Sequence, residues 1–415
     1  MHERNRYAVF RVFPETILLM YNLIHKNTMK IFEFLRKNLK KEKGDVKVDM
    51  DKNMEYYNHA IESNPYDSDA YIHRGLLKIQ NYDKDGAMKD FDRAIGLHPD
   101  NALAYNNRGL LKSKMNDFNS AMQDYEQAIK LSPDFALAYY NRGILRKTIG
   151  DIDGAMKDYD KSIELDPNSA DAYCERANIK AVMGDTNGAM NDYDMAIKAD
   201  SHHALTYCNR GKLKKELGDN KGAMKDYDKS IKLDPDYALT YCNRGNLKSE
   251  LEDYRGAMID YDAAIEHDPN DAVAFYCRGI LKSNLHDYDA AIADYNKAVE
   301  LNPSFALAYY NRGIQKYYKN EFSEAIKDFD ISIEIAPAAI VYIGRGTLKL
   351  KINDKAGALA DYDKAIELEP DNALAYGNRA KFYQDMAEFE EDPIKKEELT
   401  LKAKADEVKA KSLKR

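Results

Sequence analysis

An arginine recurs every 34 residues along most of this 415-residue chain, always three places after an aromatic ring. The file runs Arg74, Arg108, Arg142, Arg176, Arg210, Arg244, Arg278 and Arg312, slips by one to Arg345 and ends at Arg379. Sixteen places after nine of them stands an aspartate: Asp90, Asp124, Asp158, Asp192, Asp226, Asp260, Asp294, Asp328 and Asp361. A planar guanidinium suits a carboxylate or a phosphate, which it can hold by two parallel hydrogen bonds. Two chemistries are open. In the first, Arg142 with Asp158, Arg210 with Asp226 and Arg244 with Asp260 are structural ion pairs, within a repeat or from one to its neighbour. Such pairs set register more than they add stability, because desolvation offsets much of the attraction. In the second, the arginines form a ladder that grips anionic ligands, which requires guanidiniums that no aspartate holds.

The elements that position these side chains are legible in a single period. Across 136–169, Ala138, Tyr139, Gly143 and Ile149 keep helical spacing, and Gly150-Asp151 interrupts the pattern. A second run follows through Ala155, Met156, Tyr159, Ile163 and Leu165 and stops at Asp166-Pro167. Proline lacks an amide donor and disfavours helix in the residue before it. The prolines keep the same beat at Pro65, Pro99, Pro133, Pro167, Pro235, Pro269, Pro303, Pro337 and Pro370, with Ser201 filling the one gap. Each period therefore reads as two antiparallel helices. A fixed period of this length marks an all-α solenoid, whose units bury their apolar faces on one another. In such a hairpin, residues placed like Arg142 and Asp158 stand at about the same height.

Tyr139, Gly143, Ala155, Tyr159 and Pro167 reproduce the pattern of the tetratricopeptide repeat: a large aromatic at position 4, Gly or Ala at 8, Ala at 20, an aromatic at 24 and Pro at 32. Position 4 is aromatic in all ten units, from Tyr71 to Tyr376. Position 8 is Gly except at Ala177 and Ala380, and position 20 is Ala from Ala87 to Ala358. The chain thus resembles that family over more than three-quarters of its length. The resemblance implies a right-handed superhelix of antiparallel helical hairpins, with nine full repeats over 68–372 and a half repeat at each end, 53–65 and 373–386. The domain boundaries expected are a basic extension at 1–47, the superhelix at 48–386 and a capping helix at 387–415. The sequence departs from the family in carrying Arg at position 7, commonly Leu, and Asp at position 23.

In the family, positions 2, 5, 6, 9, 12 and 13 of the first helices line a concave groove that holds an extended peptide or a partner's helix. Position 6 here is Asn107, Asn141, Asn209, Asn243, Asn311 and Asn378. One amide can donate to and accept from a peptide unit at once, so a file of them suits sequence-tolerant gripping of a backbone. This is similar to the asparagine ladder of O-linked GlcNAc transferase, although Asn is also simply common at this position in the family. Tyr140, Tyr276 and Tyr310 at position 5, with Tyr317 and Tyr318 nearby, form either an aromatic shelf for an apolar side chain or plain padding. Lys147 and Lys212 are among the groove cations, which groove acids such as Asp171, Glu175 and Glu216 balance. No unit has Lys at position 5 or 2, so the carboxylate clamp of heat-shock chaperone adaptors is not expected.

Other chemistry is thin. Cys174, Cys208 and Cys242 occupy position 5 of consecutive units and Cys277 position 6 of the next. Stacked helices separate equivalent atoms by roughly 8–10 Å, beyond the roughly 7 Å reach of a disulfide and far beyond a shared zinc. The nine histidines are scattered, and the chain has no Gly-rich phosphate loop and no His-Glu-x-x-His. No enzyme, cofactor, metal or small-molecule substrate is expected. Basic residues predominate in 1–47 and 394–415, so the segment between carries the excess acid behind the net charge of −8. An acidic body disfavours nucleic acid, which needs a dense basic stripe. Too few apolar residues run together for a membrane span, and an apolar run at 12–24 is broken by Pro14, Glu15 and Asn22. A cytoplasmic scaffold that binds another protein through a peptide or helix is the expected function. The alternative is an architectural spacer, or the regulatory arm of a complex whose enzyme is encoded elsewhere.

Two joints depart from the pattern. Asp200-Ser201-His202-His203 lacks the proline that stops the helix, and the connection after Pro337 is one residue short, which predicts a displaced first helix in the ninth unit. At the N-terminus, Met29 opens a basic amphipathic segment. Residues 1–28 then read either as an extension upstream of a start at Met29 or as a docking or membrane-surface helix.

Overall fold

The structure, a computed structural model, describes residues 50–413. The expected N-terminal extension, the start at Met29 and the docking helix lie outside these residues. Those described form 21 helices and no strand. The chain divides into two compact units, with the break between Leu233 and Asp234. The N-terminal unit opens with the helix Met50–Ser63 and continues as hairpins such as Ala102–Lys114 with Phe118–Leu131, Ala136–Thr148 with Ile152–Leu165, Ala170–Val182 with Thr186–Ala199, and Ala204–Glu216 with Asn220–Leu233. The C-terminal unit repeats the design from Ala238–Glu250 with Tyr254–His267 to Ala339–Lys351 with Lys355–Leu368. It closes with Ala373–Glu388 packed on Pro393–Leu413.

One hairpin shows why the sequence folds this way. The first helix, Ala136–Thr148, has 13 residues. It ends where Gly150 takes φ +87°, a left-handed conformation that costs glycine nothing. The Gly150 amide donates to the Lys147 carbonyl at 3.2 Å and the Asp151 amide to the Arg146 carbonyl at 2.9 Å. That double closure is a Schellman motif, which satisfies the last carbonyls of the helix. Asp151 also caps the 14-residue second helix, its carboxylate accepting from the Gly154 amide. Close approach then makes the core. A β-carbon on Gly143 would lie 2.7 Å from the Tyr159 ring edge, so a small residue at position 8 admits the ring at position 24. Tyr125, Tyr159, Tyr227, Tyr295, Tyr362, Phe91 and Phe329 at position 24 are fully buried. Each such burial contributes roughly 1.5–3 kcal/mol.

Both irregular joints are accommodated. At the joint that lacks proline, His203 stands at the N-cap of the next helix, its Nε2 3.1 Å from Asp171 and its Nδ1 2.6 Å from the Thr206 hydroxyl. At the short connection, Ala338 adopts an extended conformation and Ala339–Lys351 keeps its 13 residues. Arg345 still reaches Asp361 at 3.0 Å through Nε and Asp330 at 2.5 Å through Nη1. The ninth first helix thus keeps its ion pairs on both sides of the shortened connection.

Candidate functional site: the face of the first helices

Within each unit most successive first helices touch one another, so their side chains form a continuous face. The arginines do not belong to its exposed part. Arg142 donates to Asp158 through Nε at 2.9 Å and Nη2 at 2.7 Å, and its guanidinium lies 5.6 Å from the Tyr139 ring centre. The same two-bond pairing joins Arg210 to Asp226 at 2.8 and 2.6 Å, and Arg244 to Asp260 at 2.9 and 2.7 Å. Each aspartate takes a further cation four places along from the arginine: Arg146 on Asp158 at 2.9 Å, Lys214 on Asp226 at 2.8 Å, Lys248 on Asp260 at 2.9 Å.

The remaining guanidinium nitrogen ties neighbouring repeats together. Arg108 reaches Asp92 of the preceding hairpin at 2.8 Å, Arg176 reaches Asp160 at 2.7 Å and Arg210 reaches Asp194 at 2.6 Å. In the C-terminal unit, Arg278 does the same with Asp262 at 2.7 Å. Hydrogen bonds to Asp124 hold the Arg108 guanidinium above its ordinary pKa despite burial. Each held by two bonds to the aspartate of its own hairpin, these arginines do not form the open anion ladder.

The asparagine file is divided. Asn107, Asn141 and Asn311 are buried, whereas Asn209, Asn243 and Asn378 are partly exposed. Three of the six donate to the preceding first helix rather than outward. Asn141 donates to Asn106 at 2.9 Å, Asn209 to Asn178 at 3.1 Å and Asn311 to the Tyr276 hydroxyl at 2.9 Å. Asn378 turns back on its own helix, to the Leu374 carbonyl. Burial keeps Asn107, Asn141 and Asn311 from gripping a peptide backbone.

The tyrosines at position 5 mostly turn into the hairpin. Tyr276 and Tyr310 are buried, 5.9 Å from the ring of Tyr295 and 5.7 Å from that of Phe329. They are not a shelf on the surface, because the ring at position 24 attracts them inward, and burial pushes both hydroxyls above their usual pKa. Tyr140 is half-buried beside Tyr159. Lys147 bonds Glu175 of the next repeat at 2.5 Å, and Lys212 stays 41% exposed. Cys174, Cys208, Cys242 and Cys277 are reduced and buried. No cluster of metal-ligating side chains occurs among the described residues. No helix there is long and apolar enough to cross a membrane.

One member of the arginine network escaped sequence inspection. Arg379 has no aspartate sixteen places on, yet Asp406 of Pro393–Leu413 binds it through both oxygens at 2.8 and 2.9 Å. The signal was present: Ala403, Asp406 and Ala410 repeat the spacing of Ala155, Asp158 and Ser162, displaced by an insertion.

Comparison with known proteins agrees with this architecture. Models described as "TPR repeat" match residues 113–150, 211–251 and 285–315. Others, described as "Tetratricopeptide repeat", match 136–169, then 158–191, 260–293 and 361–392, and also 238–271 and 339–372. Together these cover more than half of the chain. No curated protein matches the sequence. Among solved structures, a tetratricopeptide repeat protein from Parabacteroides merdae is 21% identical, covering 59% of this chain and 96% of its own, with a TM-score of 0.46. YrrB, described as a TPR protein with an unusual peptide-binding site, is 25% identical over 44% of this chain and 94% of its own, with a TM-score of 0.35. Yeast Tom70 is 17% identical over 96% of this chain and 97% of its own, with a TM-score of 0.45.

Proposed function

Since this chain belongs to the tetratricopeptide repeat family, a fold of protein-interaction scaffolds, we propose that it binds a peptide or helix of a partner protein along the face of its first helices and carries out no catalysis. One observation supports this most directly. On Ala204–Glu216 the residues Leu205, Asn209 and Lys212, spaced four and three apart, share one face and remain partly exposed. The opposite side, with Thr206, Tyr207, Cys208, Gly211 and Leu213, is buried. An apolar side chain, the oxygen of an amide whose nitrogen is held by Asn178, and an ammonium group on one rigid helix face supply burial, an acceptor for a backbone amide and charge recognition together. Leu103, at the position equivalent to Leu205, is 40% exposed.

The test is recovery of partners from native lysate by the wild type and by a Leu205→Ser, Lys212→Glu variant with an unchanged circular dichroism spectrum. Loss of a specific partner is the expected result, and equal recovery by both proteins overturns the reading.

A further inference from the structure

The hairpin turns of the N-terminal unit expose a row of apolar side chains that the turns themselves do not need. Met115, Ile149, Met183 and Leu217, each just after a first helix, are 44%, 50%, 65% and 54% exposed. Val182 beside Met183 is 63% exposed. The Schellman closure at Gly150 is complete without the Ile149 side chain, since its bonds are all backbone and its usual apolar contact involves the flanking positions. A polar residue there would serve the turn equally well. Single exposed apolar residues are ordinary, but one at the same place in four consecutive repeats makes a line.

Two places after each stands an exposed carboxylate: Asp117, Asp151, Asp185 and Asp219. Hydrogen bonds from Ser120 hold the Asp117 carboxyl below the usual range, so it is charged at neutral pH. Of the four, Asp151 has a cation beside it, Arg146 Nε at 3.6 Å. The rim therefore offers apolar points beside negative ones, repeated once per hairpin. Stacked helices repeat at roughly 8–10 Å, and an α-helix advances about 10.5 Å in seven residues. A row of this pitch matches a helix with one apolar side chain per heptad, and the acids call for lysine or arginine on its flank.

We propose that the turn rim of Met115, Ile149, Met183 and Leu217 docks a basic amphipathic helix of a partner protein, lying across the four repeats. The rim shares no residue with the Leu205, Asn209 and Lys212 face, so the two surfaces are separate. In the C-terminal unit the corresponding row is Leu251, Leu285, Lys319 and Ile352. There a lysine interrupts it, and the inference is confined to the N-terminal unit.

The probe is a fluorescent synthetic helix of four heptads, with leucine once per heptad and lysine and alanine elsewhere, titrated into the full chain and followed by anisotropy. The variant Met115→Ser, Ile149→Ser, Met183→Ser, Leu217→Ser should weaken binding about tenfold or more, with an unchanged circular dichroism spectrum. Added salt should weaken binding to the wild type, while Leu205→Ser, Lys212→Glu should leave it intact. Equal affinity for the rim variant, or for a probe with its leucines shuffled, overturns the proposal. So does sedimentation showing that the rim instead joins two copies of this chain, with the variant dissociating to monomer.

Discussion

Arg379 and Asp406 form a two-bond ion pair across 27 residues of sequence, where the other pairs of this kind span 16. The closing helix therefore enters the same network as the second helices before it, its extra residues ahead of Asp406 taken up mainly by a longer first helix and by added turns at its own start. Asp406 is 6% exposed and Arg379 also holds Asp363 of the preceding hairpin at 2.6 Å. Asp406→Ala leaves a half-buried guanidinium with only that rim partner. The expected cost is about 2–3 kcal/mol, felt locally as faster amide exchange over 373–413. Unchanged exchange there would show that the pair does not hold the last hairpin together.

The Tyr159 hydroxyl is buried with no hydrogen-bond partner, whereas those of Tyr193 and Tyr261 donate to Asn178 and Asn246 at 2.7 Å. The difference lies at position 9, where the third repeat has Ile144. Removing an orphaned hydroxyl relieves a desolvation penalty of about 1–3 kcal/mol, and removing a paired one strands its acceptor. Tyr159→Phe is expected to be neutral or stabilising in urea melts, and Tyr193→Phe destabilising. The opposite order would contradict the assignment.

Gln315 stands where the other first helices carry Leu, Ile or Phe, such as Leu281 and Leu348. Its side-chain oxygen and that of Asn311 are buried without partners. Gln315→Leu should stabilise the C-terminal unit by about 1–3 kcal/mol, by burying apolar surface in place of an unpaired carbonyl. Denaturant midpoints measure this, and a lower midpoint would mean the amide is satisfied in solution.

Lys114, on the first-helix face, has its pKa lowered to about 8, by burial first and then by the nearby charge of Lys84. The unfolded chain keeps the ordinary lysine value of 10.5. Between these values the unfolded state binds more protons, so this group's contribution to stability rises with pH across that window and is flat below it. Lys114→Met removes the dependence. The stability difference between the two proteins, followed from pH 7 to 10 by chemical denaturation, is expected to shift in favour of the wild type as pH rises past about 8. A difference that does not change with pH would refute it.

Much of the hairpin architecture can be read from particular residues. Gly143, Ala155, Tyr159 and Pro167 recur with their period because each meets a need internal to one hairpin: close approach, ring burial and a stop. The pairing of Arg142 with Asp158 is legible for the same reason, since sixteen residues through one short turn leave little freedom. The insertion before Asp406 broke that rule of spacing, and the partner of Arg379 was hidden although its helix was visible.

Local periodicity thus determines the helices, their pairing into hairpins and the family, because helix caps, turns and small-to-large packing act over a few residues at a time. The tertiary structure decides which face of each helix stays open. Tyr276 and Tyr310 look like groove residues in sequence but turn inward against Tyr295 and Phe329. Asn141 and Asn311 spend their amides on the neighbouring repeat. Ile149 keeps the apolar spacing of its helix in sequence yet stands in water, as do Met115, Met183 and Leu217. Exposure depends on how consecutive hairpins stack, a relation between residues about 34 apart whose physical cause is the competition of neighbouring side chains for the same space.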